Sequence, residues 1–168
     1  MSDFVIRDAV AADVPALAQL HVDTFIETHG GPGPTYQLRE SQWRQAFNEE
    51  NPNWFCYLIT DSRGSLIGFA KGVPYTGSIT EYAGELNKIY LLRKYHRQGL
   101  GRRLIGHVSR RFLSVGIGSM LLFGDAQNPT NGFYEHLGAV RLLTPTGEFH
   151  GGYGWQDLHE LALQCPIG

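Results

Sequence analysis

The stretch Lys88-Ile89-Tyr90-Leu91-Leu92-Arg93-Lys94-Tyr95-His96-Arg97-Gln98-Gly99-Leu100-Gly101-Arg102-Arg103-Leu104 has the residue types of an anion site. An apolar run passes into a basic turn, two glycines stand two apart, and a helical stripe of Leu100, Leu104, Ile105, Val108, Phe112 and Leu113 begins at once. Glycines let the backbone approach an anion, the first N–H groups of a helix lack partners, and the helix dipole adds partial positive charge there. The pattern predicts a cradle that a pyrophosphate would fit. A Walker-type loop needs Lys-Ser/Thr after its last glycine, where Arg102-Arg103 stands, and a dinucleotide fingerprint needs a third glycine that is missing. A plainer reading stays open, in which Gly99 and Gly101 only permit a tight turn from strand to helix.

The charge distribution agrees with a local anion site. Lys and Arg number 14 and Asp and Glu 16, for a net charge of −2, which argues against a general nucleic-acid or membrane-surface binder. From Arg93 to Arg111 there are seven cations (Arg93, Lys94, Arg97, Arg102, Arg103, Arg110, Arg111) and no acid, leaving a balance of −9 elsewhere. A solvated basic helix face is the alternative. The seven histidines form no His-x-x-x-His pair and no cysteine-rich spacing, so no metal is expected, and no Gly-x-Ser-x-Gly elbow supports a hydrolase.

The elements that must position these residues follow from periodicity. Phe4 to Arg7 reads as a strand, Asp13 as an N-cap, Val14 to His29 as a helix, and Tyr36 to Asn48 as a second helix after the breaker Gly30-Gly31-Pro32-Gly33-Pro34. Trp54 to Thr60 and Ser65 to Val73 flank the turn Asp61-Ser62-Arg63-Gly64 as a hairpin, and Glu81 to Leu92 is a further strand. Then come a helix over Leu100 to Leu113, a buried strand over Gly118 to Phe123 and a short helix over Thr130 to His136. Gly151-Gly152-Tyr153-Gly154-Trp155 reads as a loop, and strands are expected near Ala139 to Leu143 and Trp155 to Gln164. The expected fold is α/β (α+β), one domain over residues 1–168, with a single mixed, mostly antiparallel sheet of six to seven strands flanked by helices.

Tyr90-Leu91 to Leu104 resembles the acyl-CoA-binding motif of the GNAT superfamily of N-acetyltransferases, Gln/Arg-x-x-Gly-x-Gly/Ala, here His96-Arg97-Gln98-Gly99-Leu100-Gly101. His96 departs from the pattern at its first position. Asn128-Pro129-Thr130-Asn131-Gly132-Phe133-Tyr134-Glu135-His136-Leu137-Gly138 resembles the family's later Asn…Phe-Tyr motif, with the Asn-to-Phe spacing one residue short of its commonest form. The two motifs in this order, about 30 residues apart, make the resemblance specific.

The resemblance implies acetyl-CoA as cosubstrate, held by backbone N–H groups from Arg97 to Arg102 and flanked by Tyr90, Leu91, Leu92, His96, Asn128 and Phe133. It implies Tyr134 beside the thioester sulfur, where a phenol of ordinary pKa about 10 stays protonated and donates to a leaving thiolate. It implies Glu85 as a base for the amine, with Glu81 or a water chain as alternatives. It also implies an acceptor pocket walled by the first two helices, with Phe25, Thr28, His29, Tyr36 and Trp43 as candidates, and leaves room for a homodimer. The expected reaction is direct attack of a primary amine, borne by a small molecule or a peptide, and the −9 balance leans toward a cationic one through steering. A non-catalytic acyl-CoA sensor is the competing reading, and a duplex binder a third. The start of the chain lacks a secretory pattern, Cys56 and Cys165 make no disulfide framework, and apolar runs such as Met120 to Phe123 fall far short of the ~20 residues of a membrane span, so a cytoplasmic place is expected.

Overall fold

Period-two apolar patterning and helical stripes alternate along the chain, and the computed structural model, which describes residues 3–50 and 52–167, turns them into a layered sheet. In order the elements are β1 (Val5–Asp8), α1 (Val14–His29), α2 (Tyr36–Phe47), β2 (Phe55–Thr60), β3 (Leu66–Pro74), β4 (Gly84–Leu91), α3 (Leu100–Ser114), β5 (Met120–Leu122), α4 (Asn131–His136), β6 (Val140–Leu143), β7 (Phe149–Trp155) and α5 (Leu158–Gln164). The strands form one sheet in the order β1-β2-β3-β4-β5-β7-β6. Every neighbouring pair is antiparallel except β4 and β5, which are parallel because α3 carries the chain across between them.

Alternation along the strands feeds two cores. β2 turns Phe55 and Ile59 toward the α3 stripe of Leu100, Leu104, Ile105, Val108 and Phe112, and Cys56 and Leu58 toward Val14, Leu17 and Ala18 of α1 and Trp43 of α2. Each such aliphatic or aromatic side chain, fully buried, contributes about 1.5–3 kcal/mol. On the α3 side, Arg110 donates to the Ala162 and Cys165 carbonyls at 2.9 and 2.8 Å, satisfying the C-terminal end of α5. No helix among the described residues is long and apolar enough to cross a membrane.

The C-terminal segment is not the expected loop and strand. Gly151 to Trp155 belongs to β7, and Leu158–Gln164 is a helix. Leu158, Leu161 and Ala162 recur at helical spacing, all buried, and the Asp157 carboxylate caps them by accepting from the His159 and Glu160 N–H groups at 2.9 and 3.2 Å. The glycines of β7 reflect close approach: a Cβ on Gly154 would meet the Tyr82 ring at 2.3 Å. Asp13 stands at the N-cap position of α1, as expected, but its side chain makes no cap bond to the helix. A 3-10 turn over Ala11–Asp13 precedes the helix, so the Asp13 carboxylate reaches back to the Val10 N–H and the Arg7 guanidinium, all at 2.8 Å.

Candidate active site

The glycine turn folds as a helix start with open donors. Gly99 is the N-cap of α3 at φ 78°, with nothing near enough to clash with a Cβ, so it is the left-handed backbone alone that favours glycine there. Arg97 also has positive φ, 63°, in a non-glycine residue. The first bonded amide of the helix is that of Arg103, to the Gly99 carbonyl at 3.1 Å, and the N–H groups from Gly99 to Arg102 find no acceptor among the described residues. His96 serves the turn: its Nε2 donates to the Leu91 carbonyl at 2.7 Å, pinning the turn to the end of β4.

The cations of this segment divide. Arg93 donates from its backbone to Glu27 Oε1 at 2.8 Å and from its guanidinium to the Glu27 carbonyl, tying the turn to the end of α1. Arg110 clamps α5, and Arg111 bonds Asp8 at 3.1 Å and the Tyr57 hydroxyl at 3.4 Å. Lys94 and Arg97 stay exposed at the turn and Arg102 half-buried at the first turn of α3. The basic run is thus part scaffold and part open charge.

Next to the turn the sheet splits. β4 and β5 pair only at Gly84–Met120 and Glu85–Leu121, and β4 continues through Leu91 with no strand of the described residues on that edge. α4 lies by this gap, with the Phe133 ring within reach of a Cβ placed on Gly101. Tyr134 is 6% exposed, its ring 5.6 Å from Tyr153 and 6.1 Å from Trp155. Its hydroxyl makes no hydrogen bond among the described residues. Burial, and then the nearby Tyr90 and Tyr153 hydroxyls, push the Tyr134 phenol above its ordinary pKa, so it holds its proton at any neutral pH. Asn128 is engaged locally: its Oδ1 accepts from the Thr130 N–H at 2.8 Å and shapes the loop before α4.

On the α1/α2 face of the sheet lies a charged cluster. β4 carries an extra residue at Asn87, where its register with β3 shifts between Lys71 and Gly72. Leu86 points into the α3 core and Tyr90 to the other face, so the bulge brings Glu85 and Lys88, three apart, to the same side. Lys88 pairs directly with Lys71 of β3, and Glu85 Oε2 accepts from Asn87 Nδ2 at 3.0 Å. Above them His21 is 1% exposed between Phe69, Tyr90 and Trp43, with Nδ1 accepting from Trp43 Nε1 at 3.2 Å and Nε2 unpartnered.

Burial, and then Arg39, Lys88 and Lys71, push His21 down from 6.5 to about 3. A histidine that is neutral when folded and titrates near 6.5 when unfolded supports the fold fully above pH 6.5. That support is lost as pH falls toward 3, by up to about 1.4 kcal/mol per pH unit. Thermal unfolding from pH 7.5 to 4 will show the slope, and His21→Leu will flatten it; an unchanged slope in the variant contradicts the assignment.

Residues 14–139 match the Acetyltransferase (GNAT) family. The chain belongs to the GNAT acetyltransferases. It is 30% identical to the uncharacterized N-acetyltransferase YuaI of Bacillus subtilis, over 93% of this chain and 95% of that one. It is 26% identical to the phosphinothricin N-acetyltransferase of Streptomyces viridochromogenes, over 91% and 83%. In fold it is similar to the PaiA N-acetyltransferase of Thermoplasma acidophilum, solved in complex with coenzyme A, with TM-score 0.68, 20% identity and 92% and 98% coverage. As a GNAT acetyltransferase it is an acyltransferase, and acetyl-CoA is its cosubstrate.

In this GNAT enzyme the open N–H groups of α3 and the unpaired edge of β4 fit a pyrophosphate with an extended arm. Tyr90, Leu91, Leu92, His96 to Arg102, Phe133 and Tyr134 all lie along that turn, edge or gap, whereas Trp43 does not behave as a pocket wall. It is 3% exposed and part of the α1/α2 core. Phe25 and Thr28 are half-buried, His29 is exposed with its ring 4.4 Å from Phe25, and the half-buried Tyr36 donates to Glu40 at 2.9 Å. Periodicity missed Arg39, Lys71, Lys88 and His21. A lysine in a strand and a histidine in a helix read as ordinary face residues until pairing and packing place them together.

Proposed function

We propose that this GNAT domain, one catalytic unit over the whole chain, transfers the acetyl group of acetyl-CoA to a primary amine by direct attack, in the cytoplasm. The observation that supports it is the split of β4 from β5 with the open N–H groups of Gly99 to Arg102 at its mouth and Tyr134 buried beside it. The Gly99–Arg102 amides bind the pyrophosphate. Leu91 and Leu92 flank the arm, while Asn128 and Phe133 shape the α4 side. Glu85 accepts the amine's proton, directly or through water, so that the neutral nitrogen attacks, and Tyr134 donates its hydroxyl proton toward the departing sulfur.

Both cysteines are buried, and burial pushes the Cys56 thiol up to about 12, which supports the direct route over a cysteine-bound acyl group.

A thiol-release assay with acetyl-CoA and a panel of amines tests the reading. Free CoA should accumulate only when an acceptor is present. Binding of acetyl-CoA with no thiol release across the panel would favour a sensor instead.

Gly99→Ala provides a further check. Alanine in the left-handed region costs about 1–2 kcal/mol; if that strain moves the turn, the KM for acetyl-CoA rises by about 5- to 30-fold with kcat nearly kept. A KM equal to that of the parent enzyme would detach Gly99 from cosubstrate binding.

A further inference from the structure

Three cations outside the Arg93–Arg111 segment meet on the α1/α2 face. Lys71 and Lys88 are direct cross-strand partners, a placement in which like charges repel. Lys71 Nζ lies 5.3 Å from the centre of the Trp43 ring and 5.2 Å from that of Trp54, so its near neighbours are aromatic faces and not a paired carboxylate. Arg39 of α2 is 9% exposed, with its guanidinium 5.8 Å from the Phe25 ring. Its Nη1 donates to Gln42 at 3.2 Å, and its Nε is buried with no acceptor.

Among the described residues none of the three lies within 4 Å of a carboxylate. The acids that face them are Glu85, which acts on both lysines, and Glu49, which acts on Lys71; His21 is neutral and contributes no negative charge. Tyr90 completes the wall.

Burying a cation without a counter-charge is costly, and so is an orphaned donor. An oxyanion arriving with a ligand removes both penalties, and a guanidinium edge matches its geometry. We propose, resting on the acetyl-transfer reading above, that the acceptor amine also carries an acidic group, a carboxylate or a phosphorus oxyanion, held by Arg39, Lys71 and Lys88. The acceptor is then zwitterionic, as an amino acid is. The same cations repel a polyamine, so the local field reverses what the −9 overall balance suggests.

The test uses the purified full chain, acetyl-CoA and matched amines that differ by the acid group alone. One arm compares α-amino acids with the amines left after removal of the carboxyl; another compares 2-aminoethylphosphonate with ethylamine; spermidine is a third. Thiol release is read alongside quenching of tryptophan fluorescence by the N-acetylated amino acids, since Trp43 and Trp54 flank Lys71.

In at least one pair the acid-bearing amine should be used with a kcat/KM about 10-fold or more above its partner, and the better arm tells carboxylate from phosphorus oxyanion. Arg39→Gln and Lys88→Met should each bring that ratio toward one, with the unfolding temperature followed to confirm that the fold is intact. Equal or better use of the acid-free amines or of spermidine overturns the inference and leaves acetyl transfer standing. Absence of thiol release with every amine, while an N-acetyl amino acid binds the parent chain and not Arg39→Gln, overturns the catalytic reading and keeps the anion subsite.

Discussion

Tyr134→Phe will lower kcat by about 10²-fold while the KM for acetyl-CoA and the unfolding temperature stay near those of the parent. The ring contributes packing against Tyr153 and Trp155, which phenylalanine keeps. The hydroxyl bonds no described protein group, so its removal breaks nothing inside the fold. What it removes is a proton donor that burial keeps protonated well above neutral pH. Full transfer from such a phenol to a thiolate of ordinary pKa about 8.5 runs uphill, so in the proposed reaction the donor acts chiefly by hydrogen-bonding the sulfur as charge develops on it. Steady-state kinetics with both substrates varied, together with a thermal melt, separate this from a packing role. Unchanged turnover would remove Tyr134 from the chemistry, and a lowered melting temperature would place its hydroxyl in the scaffold.

Trp43→Ala will cost about 3–5 kcal/mol of stability, or roughly 6–20 °C in Tm for a chain of this size. Trp43 is 3% exposed, stacks edge-on to Phe69 at 5.7 Å and Trp54 at 6.3 Å, and donates its indole N–H to His21. Removing it opens a cavity, leaves the buried His21 ring without its donor and takes one aromatic face from Lys71. A residue that only walled the acceptor pocket would instead raise an acceptor KM and leave the melt alone. Calorimetry and kinetics on one preparation decide between the two, and a Tm within 2–3 °C of the parent would contradict the core assignment.

The strand and helix order was legible because each element announces itself within its own residues. The α3 stripe is apolar at helical spacing over Leu100 to Leu113, and the hairpin turn Asp61-Ser62-Arg63-Gly64 separates two runs of strand composition. The reading failed at the end of the chain, where glycines in β7 looked like loop and the helix of Leu158–Gln164 looked like strand. Local composition yielded there to cross-strand pairing with β5 and β6 and to the ring of Tyr82 lying against Gly154.

The candidate site divides the same way. The candidates from Tyr90 to Arg102 are named from local sequence, because an anion cradle is a local backbone conformation that glycine spacing records, and the Phe133-Tyr134 pair from its resemblance to the GNAT Asn…Phe-Tyr motif. The charged cluster on the α1/α2 face, Glu85 apart, could not be read this way. Glu85 and Lys88 share a face only because a bulge at Asn87 changes the pleat, Lys71 meets Lys88 only through the β3–β4 register, and Arg39 and His21 arrive from two helices packed across them. The charge those residues present to a ligand is a product of pairing between distant segments, and composition by itself pointed to the opposite sign.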